Sequence, residues 1–409
     1  MADSSESPNQ QPETAADSKA GHAFFAGFLG WTLDAFDFFV LVFVLPTIAA
    51  EFHRSIPDIA YTITLTLAMR PVGALIFGWA ADRYGRRIPL MIDVVFYSVV
   101  EVMSGLAPGY RSFLVLRALY GIGMGGEWGV GASLVMEAVS SKRRGLLSGL
   151  LQEGYSVGYL LAAAAYFLVF PRFGWRPLFI LGGLPALLAL YIRSKVPESK
   201  AWQRAKPDPG KIWRAVRNNL ARFLYLVLLM TMMNLISHGT QDIYPTFLER
   251  ERGFGPREVA TIAIIYNLGA LAGGLCFGLL SDRFGRRRAM VSAVAMAVLV
   301  IPMWAYVSSP VTLAIGAFLM QFMVQGAWGV VPAHLTELSP GEVRGLFPGL
   351  AYQLGVLFAA NAPYVEAVMA TRMGYSNALA LVAVIVLSVG AIVIALGDER
   401  HRAEFDTGS

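Results

Sequence analysis

Apolar runs of about 20 residues recur along nearly the whole chain, and this pattern constrains the fold more than any other feature. A helix of about 20 apolar residues spans the hydrocarbon core of a bilayer. Because a spanning backbone has to satisfy its own hydrogen bonds, such runs indicate helices. The sequence therefore predicts an all-α membrane protein with twelve transmembrane helices. We place them near residues 22–50, 58–80, 88–107, 112–138, 145–170, 176–195, 221–248, 258–280, 289–308, 311–337, 346–368 and 374–397.

The composition indicates that lipid, and not water, surrounds most of the chain. Of the 409 residues, 56% are hydrophobic and 15% are charged, whereas a soluble domain carries about 25% charged residues. The net charge is +5, but the basic residues lie between the apolar runs and form no face suited to nucleic acid. The single cysteine, Cys276, excludes an internal disulfide framework.

The distribution of Lys and Arg predicts the orientation in the membrane. If the N-terminus is cytoplasmic, 23 of the 33 basic residues fall in cytoplasmic segments and 8 fall in the opposite loops. The positive-inside rule therefore predicts that both termini are cytoplasmic. Residues 1–20 are polar and lack the features of a signal peptide. The expected parts are a disordered cytoplasmic tail (1–20), an N-terminal six-helix bundle (21–195), a cytoplasmic linker (196–220), a C-terminal six-helix bundle (221–397) and a cytoplasmic tail (398–409).

The two halves of the chain carry an internal repeat. The sequence GWAADRYGRR at 78–87 returns 200 residues later as GLLSDRFGRR at 278–287. The same offset relates Glu137 to Glu337, and the sequence Arg-Gly-Leu at 144–146 to that at 344–346. Parallel halves of this kind are related by an axis along the membrane normal, and their substrate site lies between them near the midplane.

The repeated Gly-x-x-x-Asp-Arg-x-Gly-Arg-Arg sequence resembles the signature between helices 2 and 3 of the major facilitator superfamily. The resemblance covers nearly the whole chain after residue 20 and implies the major facilitator fold of two pseudo-symmetric six-helix bundles. In that family the loop latches the halves in one conformation. The alternative is that the loop only fixes the topology, because its Arg residues hold it at the anionic inner leaflet. We expect the repeated Glu and Arg residues to form salt bridges when the cytoplasmic side is closed. The gating candidates are Asp82, Arg83, Arg86, Asp282, Arg283, Arg286, Glu137, Arg144, Glu337 and Arg344.

The seventh predicted helix carries a polar stripe. Residues 234–246 read Asn-Leu-Ile-Ser-His-Gly-Thr-Gln-Asp-Ile-Tyr-Pro-Thr, and helical spacing puts Asn234, Ser237, His238, Gln241 and Asp242 on one face. In lipid such a face has to turn toward protein or a watery cavity. The stripe resembles the motif of Jen-type lactate/pyruvate:proton symporters within the sialate:proton symporter family.

This resemblance implies roles for the stripe. Asn234, His238 and Gln241 are expected to contact the substrate. His238 and Asp242 lie one turn apart and can share a proton, because their unperturbed pKa values of about 6.5 and 3.9 bracket a usable range. The alternative is a polar seam between packed helices.

Ionisable residues in other predicted helices complete the candidates for proton coupling. Asp34 and Asp37 of the first helix share a face, and an acid there can carry a proton because an unpaired charge is costly in an apolar environment. One of the two could instead pair with Arg70, and the sequence leaves open which one titrates. Arg117 resembles the helix-4 Arg that the superfamily often uses in proton coupling; the alternative is a structural pairing with Glu127 or another acid.

Arg70 is the candidate that best suits a substrate carboxylate, because a guanidinium offers a bidentate fork. Structural ion pairing is the alternative. Tyr155 in the fifth helix and Gln353 in the eleventh lie in stretches similar to those of the Jen-type group, and both are candidate substrate contacts. Glu153 stands where that group usually has Gln, so it adds either a titrating group or a pairing partner.

These features predict a secondary active transporter that takes up a small monocarboxylate, such as lactate or pyruvate, together with a proton. The alternatives are a sialic acid or other organic-acid:proton symporter and, in different classes, a non-transporting membrane sensor or a channel. We expect no enzyme activity, cofactor or bound metal, because the sequence has neither metal-ligand spacing nor a phosphate loop. The expected partners are the organic anion, a proton and membrane lipid, for a monomer in the bacterial inner membrane.

Overall fold

The computed structural model describes residues 11–405, with side-chain surroundings for residues 19–55 and 57–405. Within this range the regular secondary structure is entirely helical. The helices are α1 (Gln11–Glu51), α2 (Ile56–Tyr84), α3 (Arg87–Gly105), α4 (Tyr110–Ala138), α5 (Arg144–Gln152), α6 (Gly154–Phe173), α7 (Arg176–Leu181), α8 (Pro185–Lys195), α9 (Lys200–Ala205), α10 (Pro209–Asn218), α11 (Leu220–Gln241), α12 (Tyr244–Arg250), α13 (Pro256–Phe284), α14 (Arg286–Ala305), α15 (Pro310–Leu338), α16 (Phe347–Ala359), α17 (Ala362–Met373) and α18 (Tyr375–Leu396), with a 3-10 turn at Gly341–Val343.

The helices form the predicted all-α membrane fold. Eleven helical segments of the described residues are long and apolar enough to cross a membrane. The remaining span is α4, whose 29 residues include four charged side chains, Arg111, Arg117, Glu127 and Glu137, and several glycines. Four spans are interrupted and consist of two helices each: α5 with α6, α7 with α8, α11 with α12, and α16 with α17.

The segments expected to be irregular contain helix. α1 begins at Gln11, so it extends into the predicted disordered tail, where Ala, Glu and Lys favour helix; residues 1–10 of that prediction lie outside the described residues. The predicted linker holds α9 and α10. Each begins at a capping side chain: Ser199 accepts the backbone N–H of Trp202 at 3.1 Å, and Asp208 accepts that of Lys211 at 2.7 Å.

The chain folds into two halves, each with its own apolar core. The halves are joined mainly by α5, which packs on α13 and α15, and by α16, which packs on α2 and α4. We call the end of the bundle at which α5 and α16 begin the gate end. α6 and α17 continue the same two spans away from it and make no comparable contact with the opposite half. The halves therefore meet at the gate end.

The internal repeat appears at the gate end as two equivalent turns. Gly85 precedes α3 with φ of 100°, and Gly285 precedes α14 with φ of 99°, a region that favours glycine. Glu198 accepts two backbone N–H bonds at the start of α3, at 2.8 and 3.2 Å. Glu399 does the same at the start of α14, at 3.1 and 2.9 Å. A carboxylate at a helix N-terminus is stabilising, so both turns are fixed in the same way.

Glycines allow α2 and α4 to pack in direct backbone contact. A Cβ atom added to Gly73 of α2 would lie 1.7 Å from the backbone oxygen of Ile122. One added to Gly125 of α4 would lie 2.0 Å from the backbone oxygen of Arg70. Small residues permit such close approach between membrane helices. The contact fixes the position of the α2 backbone that carries Arg70.

We expect Gly73→Ala to destabilise the protein, because its methyl group would overlap a backbone oxygen that cannot rotate away. Overpacking of this kind costs about 1–3 kcal/mol, so the thermal unfolding midpoint in detergent should fall by a few degrees. Gly109→Ala is the control, since an added Cβ there meets nothing within 4 Å. Equal midpoints for the two variants would contradict the close packing.

Candidate substrate cavity and gate

A polar cavity of about 110 Å³ lies between the two halves, where the fifth and seventh spans are interrupted. Residue 153 separates α5 from α6, and residues 242–243 separate α11 from α12. Discontinuous helices at the interface between repeats typically form transporter binding sites. The cavity is lined by Gln152, Glu153, Tyr155 and Ser156 from the N-terminal half and by Gln241, Tyr266, Asn267, Ala270, Gln321 and Gln325 from the C-terminal half.

The lining provides hydrogen-bonding groups and very little formal charge. It offers five side-chain amides, two phenols and one hydroxyl, and its one ionisable acid is Glu153. None of these lining residues is Lys, Arg or His. The cavity therefore suits a small polar ligand, and a positive charge for an anion has to come from a residue next to it.

The polar stripe of α11 is divided between the cavity and contacts with other helices. Gln241 lines the cavity and donates to the hydroxyl of Ser237 at 2.9 Å. Gln325 of α15 donates to the same hydroxyl at 3.4 Å. Asn234 is buried and donates to a backbone carbonyl one turn earlier in its own helix, at 2.8 Å. Gln241 is therefore brought to the cavity, whereas Asn234 is not among its lining residues.

His238 and Asp242 form a pair, as their one-turn spacing predicted. His238 Nδ1 lies 2.8 Å from Asp242 Oδ2, and the side chains are 31% and 29% exposed. Asp242 is within electrostatic reach of Tyr155 and Tyr266, which line the cavity, and of the buried Glu366 in α17. The pair therefore stands beside the cavity with access to solvent.

Arg70 of α2 is buried close to the cavity wall. Its guanidinium is 5.7 Å from the centre of the Tyr352 ring and within electrostatic reach of the cavity residue Tyr155. Nε and Nη2 have no hydrogen-bond partner in the described part of the chain, although the buried carboxyl groups of Asp34 and Glu127 lie within electrostatic reach of Arg70. Gln353 is completely buried in α16, and both of its amide atoms lack a partner there.

Four carboxyl groups are buried without hydrogen-bond partners inside the N-terminal half. They belong to Asp34, Asp37, Asp93 and Glu127, none of which is more than 1% exposed. Glu127 Oε1 points at Gly30 of α1, one turn before Asp34 on the same helix face. The predicted acids Asp34, Asp37 and Glu127 are thus brought close together, and Asp93 of α3 joins them.

Arg117 pairs with Glu101, so of the two pairings that the sequence left open it is the one with an acid other than Glu127. Its Nη2 donates to the carboxylate of Glu101 and to the hydroxyl of Ser104 in α3. Glu127, named as a candidate partner, makes no such bond. The pairing is local to the N-terminal core, because α3 packs directly on α4.

The two repeated loops each bind the opposite half at the gate end. The carboxylate of Asp82 accepts the backbone N–H groups of residues 345–346 at 2.7 and 2.9 Å. The carboxylate of Asp282 accepts those of residues 145–146 at 2.8 and 3.0 Å. The two sets of bonds close the interface from both sides.

Ion pairs that cross between the halves reinforce these contacts. Both crossing pairs anticipated from the repeat are present, and each Glu also binds the Arg of its own half's loop. The four pairs are Arg344–Glu137 at 3.5 Å, Arg144–Glu337 at 2.9 Å, Arg86–Glu137 at 3.1 Å and Arg286–Glu337 at 3.0 Å.

The burial of these loops argues against membrane contact for two of their arginines. Arg86 and Arg286 are fully buried and bonded to carboxylates, so they cannot hold lipid headgroups. Arg83 and Arg283 differ. Arg83 lies over the Tyr84 ring at 5.4 Å and is partly exposed, and Arg283 is exposed. These outer arginines remain accessible to the membrane surface.

The C-terminal segment covers the crossing ion pairs. The Phe405 ring lies 3.9 Å from the guanidinium of Arg144 and 4.0 Å from that of Arg344. The backbone oxygen of Ala403 accepts a bond from Arg144 at 2.8 Å, and Arg402 donates to the backbone oxygen of residue 282 at 2.9 Å. The tail is therefore part of the closed gate.

Several cavity residues were absent from the sequence prediction. Gln321 and Gln325 are four apart in the middle of α15, and Tyr266 and Asn267 stand together in α13. Polar residues at helical spacing within a span were the available signal. The repeat did not point to the two glutamines, because it matches them with glycines in the first half.

Comparison with known proteins agrees with this architecture. The sequence model described as Major Facilitator Superfamily matches residues 27–248 and 241–409. Among solved structures, a proton:xylose symporter of this superfamily has a TM-score of 0.78 and 17% identity, covering 95% of this chain and 98% of that one. At that identity the likeness concerns the fold.

Two curated relatives are similar over most of the chain. A carboxylic acid transporter protein homolog of Saccharomyces cerevisiae is 30% identical over 85% of this chain. The chain spans only 61% of that protein's length. The sialic acid transporter of Escherichia coli is 30% identical over 88% of this chain and 90% of its own length.

Proposed function

The chain belongs to the Major Facilitator Superfamily, and on that premise we propose that it takes up a small monocarboxylate, such as lactate or pyruvate, with a proton. The proposal has two parts: an organic acid as substrate and proton coupling as the energy source. Relatives named for a carboxylic acid and for sialic acid support the first part. The cavity and its neighbours support the choice of a small anion.

The main support for the proposal is that Arg70 is buried and has nitrogens without hydrogen-bond partners. A buried guanidinium is costly unless it is paired, and two of its nitrogens have no partner. It lies within electrostatic reach of Tyr155 at the cavity wall. A substrate carboxylate in the cavity would accept a bidentate hydrogen bond from these two nitrogens. The amides of Gln152 and Gln241 would bind its remaining oxygens.

Alternating access would use the two closed loops and the central cavity. In our proposal the gate end is the cytoplasmic end, so the latch of Asp82 and Asp282 closes the inward path and leaves the cavity to be reached from outside. Binding of substrate and proton would then allow the halves to rock and the latch to open.

Proton coupling would use two groups of ionisable side chains. His238 and Asp242 share a hydrogen bond beside the cavity and meet solvent. Asp34, Asp37 and Glu127 lie in the N-terminal core. An unpaired buried carboxylate is costly, so proton gain and loss at these groups would change the free energy of each conformation.

The test is uptake by purified protein in liposomes. Radiolabelled L-lactate should accumulate above its equilibrium level only when the outside is more acidic, and an uncoupler should abolish the accumulation. Empty liposomes provide the background. Accumulation that persists without any proton gradient would contradict the coupling.

A sialic acid symporter is the second candidate, because the cavity's five amides suit a substrate with several hydroxyl groups and the Escherichia coli relative is a sialic acid transporter. Unlabelled pyruvate should suppress lactate uptake at lower concentrations than sialic acid does. The reverse order would favour the second candidate.

A further inference from the structure

Glu153 occupies a position that neither the gate nor the anion site explains. It is the single residue between α5 and α6, where the fifth span is interrupted. Its side chain lines the central cavity. Its Oε1 also lies against Gly274 of α13: a Cβ atom added to that glycine would be 2.4 Å from the oxygen. One carboxyl group from the N-terminal half therefore faces both the cavity and the opposite half.

The bonds of Glu153 provide little compensation for a negative charge. Ser156 donates to its Oε2 at 3.5 Å, which is a long hydrogen bond. In the described part of the chain no basic side chain lies within ion-pair distance. A partly buried carboxylate that faces a glycine backbone and amides would be costly if it were ionised. Geometry and chemistry thus favour its neutral, protonated form while the gate end is closed.

Among the groups around the cavity, Glu153 is the carboxyl group whose protonation would be most affected by a bound anion. The other titratable lining groups are two tyrosines, and α15 faces the cavity with amides. On α4, the Glu127 carboxyl points away, at Gly30 of α1. Asp242 is bonded to His238. The other polar side chains near Glu153 are neutral: Tyr155 on α6, Tyr266 on α13, Gln321 and Gln325 on α15, and Thr32 of α1 beside Gly154.

The internal repeat allows Glu153 to be compared with the equivalent residue of the C-terminal half. The offset of 200 residues that relates the two halves places Gln353 at the position equivalent to Glu153. Gln353 is completely buried, and its amide has no hydrogen-bond partner in the described residues. The fold thus holds a neutral side chain of nearly the same shape at the matching site. Only the N-terminal half has a group that can bind and lose a proton there.

From these observations we propose that Glu153 is the proton carrier that shares the cavity with the transported anion, an inference that rests on the function proposed above. The proton enters from the outside with the substrate and neutralises Glu153, so that the cavity can hold an anion without a second negative charge. When α5 and α13 separate at the gate end, Glu153 loses its contact with Gly274 and meets water. It then ionises, the proton leaves on the gate side, and the ionised group repels the anion. The proton moves from water to a carboxylate oxygen and back to water, so the step balances.

Glu153→Gln tests the proposal, because it keeps the shape and removes the proton. In liposomes the variant should exchange internal for external lactate at a rate within a few-fold of the unaltered protein. It should fail to accumulate lactate above equilibrium under an inward proton gradient. Glu153→Asp should recover part of the accumulation. Accumulation by Glu153→Gln equal to that of the unaltered protein would overturn the proposal, as would loss of exchange in a variant whose thermal midpoint is unchanged.

Binding should show the same difference as a function of pH. In detergent, the affinity of the unaltered protein for lactate should fall as the pH rises, since Glu153 ionises and repels the anion. The affinity of Glu153→Gln should fall less steeply over the same range. Equal pH dependence in both proteins would overturn the proposal.

A measurement without substrate separates this inference from the proposed function. Infrared difference spectra between acid and alkaline detergent solutions should contain a carboxylic-acid C=O band that Glu153→Gln lacks. If the band is present but lactate and sialic acid are not accumulated, the proposed substrate or coupling is wrong and Glu153 still binds a proton. If the spectra of the two proteins are identical, the inference about Glu153 is wrong.

Discussion

Replacing Arg70 by Gln is expected to abolish gradient-driven accumulation of lactate. Loss of one partner of a buried, hydrogen-bonded charge pair costs about 2–5 kcal/mol, which corresponds to a decrease in affinity of about 30-fold or more. Gln has a similar reach but supplies no positive charge, and the cavity lining itself contains no cation. The measurement is initial uptake as a function of lactate concentration, with direct binding to protein in detergent as a second readout.

Two further variants sharpen this prediction. Arg70→Lys keeps the charge but loses the planar fork, so it should retain weaker binding than the unaltered protein and stronger binding than Arg70→Gln. Arg111→Gln removes an exposed guanidinium at the start of α4 and serves as the control with unchanged uptake. If Arg70→Gln bound lactate normally, Arg70 would be a scaffold residue and another group would hold the anion.

The double substitution Glu137→Gln and Glu337→Gln is expected to open the gate end. Each glutamate binds two arginines, one from each half. The change removes the carboxylate partners of Arg144 and Arg344, whereas Arg86 and Arg286 keep Asp82 and Asp282. Breaking a buried pair in this way costs about 3–5 kcal/mol. The loss of the two crossing pairs, Arg344–Glu137 and Arg144–Glu337, destabilises the closed conformation in particular, because these two pairs join the halves there. The population should therefore shift strongly toward conformations with a separated gate end.

Spin labels across the gate end can measure this shift. Labels at Lys142 in the N-terminal half and Glu342 in the C-terminal half, in a Cys276→Ser background, should give a longer distance distribution in the double variant. Glu249→Gln, an exposed change at the other end of the bundle, should leave the distribution as it is. Unaltered distances in the double variant would show that the backbone bonds to Asp82 and Asp282 suffice to hold the gate closed.

The fold could be predicted from the sequence because its main determinants are one-dimensional. Span length follows from bilayer thickness, and the offset of 200 residues follows from duplication of one half. The gate contacts were also accessible, since the repeat pairs Glu137 with Glu337 and the Arg residues at 144 and 344. Their crossing between halves follows once the two loops are placed at the same end.

The cavity was harder to predict because its lining depends on how helices rotate and where they break. The stripe on α11 indicated one face, but rotation of the helix divides it: Gln241 reaches the cavity while Asn234 bonds to its own backbone. The helix break at Glu153 was difficult to predict because the residue itself is neither Pro nor Gly, although Gly154 follows directly. Pairing of Arg117 with Glu101 depends on the register between α3 and α4, which the spacing of residues in one helix cannot give.

The position of Phe405 between Arg144 and Arg344 has a practical consequence for how the protein is produced. A purification tag fused shortly after this residue would disturb the contacts of its ring with two arginines of the closed interface. Tagged protein would then populate the closed conformation less than untagged protein, and transport rates would differ between preparations. Placing the tag at the opposite terminus, or removing it by protease before reconstitution, avoids this artefact.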